Sequence, residues 1–152
     1  MLKVMQLIAS AAFVFGSVSA QADSSAEPAL AFSMKDAKLQ WGPCPPFIPK
    51  GCEIAVLHGD PAKPNVDVFF KVPPDFTIPK HWHTSAERMV LVSGTLTVTY
   101  DGQKPTTLKA GMYAYGPAKL PHEATCAKGA PCVLFIAFEA PLDATQVETH
   151  KQ

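Results

Sequence analysis

The sequence predicts an all-β protein built as a single domain, and three observations carry that reading. Proline and glycine are frequent, 15 and 9 in 152 residues, and they cut the chain into short pieces. Between the breaks lie runs rich in Val, Ile, Thr, Phe and Tyr, which fit a pleated, half-buried surface. No stretch inside the domain carries a convincing helical period. About eight to ten short strands with frequent turn signals argue for a sandwich or a barrel.

In chain order, residues 21–40 are small and polar and read as a flexible lead, with one short strand near Leu39-Gln40-Trp41 and Trp41 as a core plug. Residues 53–58 form an apolar strand that Gly59-Asp60-Pro61 ends. Residues 66–72 form the next, broken at Pro73-Pro74-Asp75 because proline cannot continue a ladder. Residues 76–83 follow. Strands at 89–92 and 95–100 are joined through Ser93-Gly94, and Asp101-Gly102 signals a hairpin. Leu108 leads into a turn at Lys109-Ala110-Gly111, and 112–115 make a short strand. Residues 122–126 and 133–138 close the domain as a hairpin, and 141–152 read as a tail. The domain is expected to span 41–140.

The N-terminus has the pattern of an export signal. Met-Leu-Lys precedes an apolar run from Val4 to Val18, and Val18-Ser19-Ala20 supplies small residues before a cut. The run is shorter than the ~20 residues that span a bilayer, so residues 1–20 are read as a cleaved signal peptide. Cleavage after Ala22 fits nearly as well. The expected location is periplasmic or secreted, with no membrane association once the signal is removed. Formal net charge is +0, and no basic patch interleaved with aromatics appears, which argues against a nucleic-acid partner.

Four cysteines in an exported chain suggest disulfides. Three pairings are possible. The local pairing, Cys44–Cys52 and Cys126–Cys132, closes two short turn-rich loops, each bridge adding ~2–3 kcal/mol by the chain-entropy model. The competing reading leaves Cys126 as a free thiol, on the same strand face as His122 and Ala124.

Five histidines are present, and three of them stand out. His81 and His83 are two apart in a predicted strand, so both imidazoles point to one face. His122 stands in a second turn-to-strand segment, Gly111 to His122. His58, before a turn and away from the others, is excluded as a ligand. Strand parity places Met89 and Leu91 with Glu87, Ala124 with His122, and Thr77 and Pro79 with His81, giving a largely apolar lining. Phe69, Phe70, Tyr113, Tyr115, Phe135 and Phe138 are candidate aromatic walls, although each is more often plain core. Tyr113, Tyr115 and Lys119 are the protic groups considered as acid–base partners, and the two tyrosines are the catalytic candidates.

Here the sequence resembles the cupin superfamily. The first cupin motif runs His-x-His, three or four residues, Glu, six residues, Gly, and His81, His83, Glu87 and Gly94 fit it. The second runs Gly, five residues, Pro-x-Gly, two residues, His, three residues, Asn, and Gly111, Pro117 and His122 fit it. Asp75 and Lys119 stand where the pattern has glycine, and Cys126 stands where it has asparagine. None of the three is a ligand position in the family. The resemblance implies a small β-barrel (the double-stranded β-helix, or jelly roll) with a metal inside one mouth, held by His81, His83, Glu87 and His122.

Imidazole nitrogen and carboxylate oxygen suit Mn, Fe, Ni, Cu or Zn, so one divalent transition metal per chain is expected. Four such ligands leave one or two positions open on a metal preferring five or six, as a catalytic or ligand-binding metal needs. The first expectation is a metal-dependent enzyme on a small organic molecule. Its chemistry is either dioxygenase-like oxidation, which makes the chain an oxidoreductase, or a Lewis-acid lyase or isomerase step. The absence of an obvious base tilts this toward oxygen. The alternative is a non-catalytic module that binds a metal or small ligand. By analogy with many cupins, a homodimer is expected.

Overall fold

The computed structural model describes residues 27–148. The expected signal peptide lies outside them. Among the described residues no helix is long and apolar enough to cross a membrane, and every regular element is a strand. The strands are β1 (Trp41–Pro43), β2 (Glu53–His58), β3 (Val66–Val72), β4 (Phe76–Trp82), β5 (Glu87–Ser93) and β6 (Thr95–Tyr100). They continue with β7 (Thr106–Lys109), β8 (Tyr113–Gly116), β9 (His122–Cys126), β10 (Cys132–Phe138) and β11 (Thr145–Gln146).

Two antiparallel sheets result. One has six strands in the order β1-β2-β3-β10-β5-β8, the other five in the order β11-β4-β9-β6-β7. Chain neighbours often fall in different sheets, so the turns at Pro73–Asp75 and Ser93–Gly94 carry the chain from one sheet to the other. Gly94 shows why its position takes no side chain. Its φ is 85°, and a Cβ there would lie 2.8 Å from the Pro131 carbonyl oxygen and 2.9 Å from the Cys132 Cα.

The core follows from the two-residue period of each strand. Val66, Val68, Phe70 and Val72 on β3, with Met89 and Leu91 on β5, point inward from the six-stranded sheet. Leu96 and Val98 on β6 and Ala124 and Cys126 on β9 meet them from the other sheet. A second, smaller cluster gathers Leu39, Ala55, Phe69 and Val133, with Phe32, Met34 and Trp41 packed on it. These residues alternate with the core positions of β2, β3 and β10, so they cover the opposite face of the six-stranded sheet. Phe69 and Phe135 therefore belong to this outer cluster and not to the inner space. Trp41 is half-buried, with the Lys71 ammonium 4.0 Å from its ring centre.

The packed unit extends past the expected 41–140 on both sides. Leu39 is buried, which draws the end of the N-terminal lead onto the sheet. In the expected tail, Leu142 N–H donates to the Pro61 carbonyl at 2.9 Å and Val147 N–H to the Lys80 carbonyl at 3.0 Å. β11 then pairs Thr145 with Trp82 and Gln146 with His81. Strands β7 and β11 escaped sequence reading because they are edges. Only Leu108 of β7 is buried, and both residues of β11 are exposed, so neither has an alternating apolar pattern.

Both local disulfides are formed, Cys44–Cys52 with Cα atoms 5.6 Å apart and Cys126–Cys132 with 5.8 Å. There is no free cysteine among the described residues, so Cys126 is not a thiol facing the site. The second bridge joins β9 to β10, and so joins the two sheets.

The two positions where the cupin pattern has glycine keep a glycine-like backbone. Asp75 and Lys119 both have φ of 60°, and main-chain hydrogen bonds hold them: Asp75 N–H to the Ala127 carbonyl at 3.3 Å, and Lys119 N–H to the His83 carbonyl at 2.8 Å. A left-handed conformation costs a residue with a Cβ roughly 1–2 kcal/mol. Glycine escapes this at an entropic cost of roughly 0.5–1 kcal/mol. Lys119→Gly is accordingly expected to stabilise the fold by up to about 1 kcal/mol. Gly94→Ala is expected to destabilise it by about 2 kcal/mol or more, because the clash is with main-chain atoms. Thermal unfolding of the two variants beside the parent checks the opposite signs.

Candidate metal centre

Three histidines converge at one end of the space between the sheets. His81 ends the inward-facing series of β4. His83 lies one residue past that strand, and His122 opens β9 directly opposite His81. Their rings are close: 4.4 Å between His81 and His122, 4.8 Å between His81 and His83, and 5.4 Å between His83 and His122, centre to centre. One ligating atom from each lies within 4.8 Å of the others.

The route by which β4 delivers His81 differs from simple alternation. The β4–β9 ladder pairs Ile78 with Ala124 and then His81 with His122, so β4 has one residue more than its partner between the two pairs. This is a bulge, and it falls at Pro79-Lys80, where proline cannot supply a ladder hydrogen. Ile78 and His81 therefore face the same space although they are three apart. Thr77, expected on the His81 face, is exposed, and Pro79 is turned from the cavity that Ile78 and His81 line.

Each imidazole is oriented by the main chain. His81 Nδ1–H donates to the Pro79 carbonyl at 2.7 Å, and His122 Nδ1–H to the Leu120 carbonyl at 3.1 Å. His83 Nδ1–H donates to the Asp143 carbonyl, while Asp143 Oδ1 accepts the Thr84 N–H at 2.9 Å. A carbonyl can only accept, so the proton sits on Nδ1 and the Nε2 lone pair is left for the centre. Such outer partners are what fix a metal-binding histidine in one tautomer. Burial keeps the rings neutral as well. It pushes His81 down to about 3, helped by His122 and His83, and it lowers His83 and His122.

Glu87 arrives from the other sheet. It opens β5, is almost fully buried, and straddles two histidines, with Oε1 3.3 Å from His83 Nε2 and Oε2 3.4 Å from His122 Nε2. Desolvation raises its carboxyl to about 7, with His122 pulling the other way. All four expected ligands thus come together. Their inward atoms are lone pairs and a carboxylate, a set of acceptors with no donor among them. Only a proton or a cation makes such a set cohesive, so the donor chemistry fits a divalent metal.

A cavity of about 420 Å³ opens beside these groups, within the usual range for small-molecule sites. Ile78, Met89, Leu96, Val98, Leu134 and Ile136 supply much of its wall. Phe70 and Phe138 also line it, and the Phe138 ring lies 5.4 Å from that of His83. The loop closed by Cys44–Cys52 leans over it, placing Phe47 5.8 Å from the His81 ring.

The catalytic candidates Tyr113 and Tyr115 lie elsewhere. They are 59% and 55% exposed. The β5–β8 register explains this: Glu87 and Met89 face inward and stand opposite Gly116 and Ala114, so the intervening Tyr115 and Tyr113 pair with Arg88 and Val90 on the outer face. Lys119 is engaged through its main chain in the turn beside His83. His58, set aside at the outset, is exposed at the end of β2. The tyrosine that does reach the centre is Tyr100, 8% exposed, directly opposite His122 on the neighbouring strand, with ring centres 4.9 Å apart. Burial, reinforced by Glu87, raises its hydroxyl well above the ordinary phenol range. Alternation along β6, where Leu96, Val98 and Tyr100 are inward and Thr95, Thr97 and Thr99 are not, was the available signal. Asp143 had none, since only its main-chain carbonyl is used.

Known proteins bear on the fold. A family model described as "Cupin domain" matches residues 68–138. No curated protein matches the sequence. Among solved structures, one from the crystal structures of the DMSP lyases RdDddP and RnDddQII is similar with a TM-score of 0.63 at 18% identity, covering 72% of this chain and 63% of that one. A cupin 2 conserved barrel domain protein from Rhodopseudomonas palustris has a TM-score of 0.58 at 13% identity, covering 71% and 75%. Bacillus subtilis oxalate decarboxylase, described for its Mn(II) centres, has 0.57 at 20%, covering 67% and 29%. This chain therefore spans less than two thirds of the lyase and under a third of the decarboxylase. At these identities the likeness concerns the fold.

The orienting role of residue 143 is open to a direct check. A chain ending at Leu142 loses the carbonyl that holds the His83 ring. Its affinity for Co(II), read from the visible spectrum in a titration, is expected to fall about 10-fold or more. Thermal unfolding without metal separates this from a general loss of fold.

Proposed function

We propose that this chain is a cupin and a metal-dependent enzyme acting on a small, largely apolar organic molecule. The observation that carries the reading is the convergence of three neutral, carbonyl-oriented imidazoles and Glu87 on the end wall of an apolar cavity. When bound by His81, His83, His122 and Glu87, a divalent transition metal supplies Lewis acidity to an oxygen of the ligand. The chain's own residues do the rest. Apolar walls exclude water and hold the carbon body, and Glu87 completes the ligand set from the opposite sheet.

One feature favours Lewis-acid chemistry of the lyase, decarboxylase or isomerase kind over oxygen chemistry. Tyr100 places a phenol beside His122 and Glu87, in place of Tyr113 and Tyr115, which the fold turns outward. The similarity to a lyase and a decarboxylase is in keeping with this and does not by itself assign a reaction. The proposed location is the periplasm or the exterior. The leader-like N-terminus and two disulfides support it.

The test begins with metal analysis of natively exported, untagged protein beside His81→Ala and His122→Ala. About one equivalent of a divalent transition metal in the parent, lost in both variants, is the expected result. Absence of metal after reconstitution with Mn, Fe, Ni, Cu and Zn would sink the proposal. Turnover of aromatic and dicarbonyl compounds that survives removal of O₂ supports Lewis-acid chemistry, and strict dependence on O₂ redirects it to a dioxygenase. Tight binding with no product over hours redirects it to a binding module. The mature N-terminus is expected at Gln21 or Asp23, and an intact Met1 in purified protein overturns export.

A further inference from the structure

Thr84, Ser85 and Ala86 separate the two ligands His83 and Glu87. The first two hold the stretch of chain that follows β10. Ser85 is buried, at 4% exposure. Its hydroxyl donates to the Ala86 carbonyl at 2.8 Å. The same oxygen accepts the first two N–H groups beyond β10, from Glu139 at 2.8 Å and Ala140 at 3.2 Å. Thr84 N–H donates to Asp143 Oδ1 at 2.9 Å, and His83 Nδ1–H to the Asp143 carbonyl. Residues 83, 84 and 85 thus clasp one short stretch, 139–143.

That stretch depends on the clasp. No residue from 139 to 148 is fully buried, and a segment with few buried contacts opens more readily than a core strand. Ser85 sets its start, Thr84 and the Pro61 carbonyl its middle, and the two pairs of β11 its end. His83 also differs from the other two histidines. His81 and His122 each bond a carbonyl two residues earlier in the chain, so their rings keep their orientation whatever this stretch does. The acceptor for His83 is 60 residues away and is in place only while the stretch is docked.

We propose that Ser85 and the Asp143 carboxylate are positioning groups for the metal centre: they fix the path of residues 139–143, and so place the Asp143 carbonyl that holds His83 in its Nδ1–H tautomer. This rests on the metal-centre reading for its purpose. Neither group is a ligand; both act through the main chain on one imidazole. The same stretch gives Leu142, Asp143 and Ala144 to the cavity wall, so the clasp ties the shape of that wall to the orientation of a ligand. Such coupling is reciprocal, and a cation held through His83 favours the docked stretch by the same factor.

The experiment uses the full mature chain with ¹⁵N-labelled histidine. Imidazole tautomers are read by NMR in the metal-free protein, and Co(II) affinity from the visible spectrum in a titration. In the parent, His81, His83 and His122 are all expected as Nδ1–H tautomers. Ser85→Ala is expected to turn His83 into a mixture of tautomers, to leave His81 and His122 as they were, and to lower Co(II) affinity about 10-fold. Asp143→Ala keeps the carbonyl and removes the acceptor for Thr84 N–H, and is expected to act in the same direction. Asp143→Asn keeps that acceptor and is expected to restore both readouts. The two Asp143 variants decide the matter if Ser85→Ala does not fold. Val72→Ala, a core truncation outside the cavity lining, is expected to lower the unfolding temperature and to move neither readout. A parental His83 tautomer in Ser85→Ala or in Asp143→Ala overturns this inference and spares the metal reading. Equal loss of orientation at all three histidines, or an equal change in Val72→Ala, also overturns it. No Co(II) binding by the parent overturns both.

Discussion

Three hydrogen bonds from imidazole Nδ1–H groups to main-chain carbonyls set the terms for the rest of this molecule. A histidine ring can present either nitrogen, and only the bond on one side decides which lone pair is free on the other. Here the acceptors are Pro79, Leu120 and Asp143. Two of the three are two residues before the histidine they orient, so the local backbone path fixes the ring as it fixes the strand. The third comes from a segment 60 residues away. That segment is bound to the barrel through Leu142, β11 and Val147, which gives an otherwise featureless end of the domain a defined place in the site.

The fourth polar group imposes a different requirement. Glu87 is on the six-stranded sheet, whereas His81 and His122 are on the five-stranded one. Contacts of 3.3 and 3.4 Å between them hold only if the two sheets keep their relative position. The interdigitated core does most of this, and strand β9 links it to a covalent restraint. His122 begins that strand and Cys126 ends it, four residues on and about 13 Å away at the usual rise. The Cys126–Cys132 bridge then binds β9 to β10 of the opposite sheet. One short strand thus carries a ligand at the open end and the inter-sheet tie at the closed end.

Much of this was legible from residue type and spacing. His81 and His83 converge because of the two-residue strand period, and all four ligand positions came from two spaced motifs. The short turn-rich loops also made the disulfide pairing legible. Three things were not. The bulge at Pro79-Lys80 reverses parity for Thr77 and Pro79, and a single proline in a strand does not reveal on which side the extra residue falls. The outward turn of Tyr113 and Tyr115 depends on the β5–β8 register, and the buried partners that set it lie more than twenty residues away. Strand β11 and the Asp143 carbonyl work through the main chain, on which side-chain identity is silent. Tyr100 differs, because the alternation of β6 turns it inward and it is the tyrosine paired with His122 across the sheet.

The polar groups that the fold leaves incomplete gather in one small region. Burial drives the three imidazoles to their neutral form and pushes Glu87 toward its protonated form, and Tyr100 keeps a donor with no acceptor. Each of these arrangements is unfavourable when considered alone, and a core of the same volume filled with Leu and Val would avoid all of them. Chance placement would scatter such defects through the core. Here the apolar walls contain none, and the groups at the centre are acceptors, a set that a cation satisfies. The instability of the empty site is then the physical basis of its affinity for a metal.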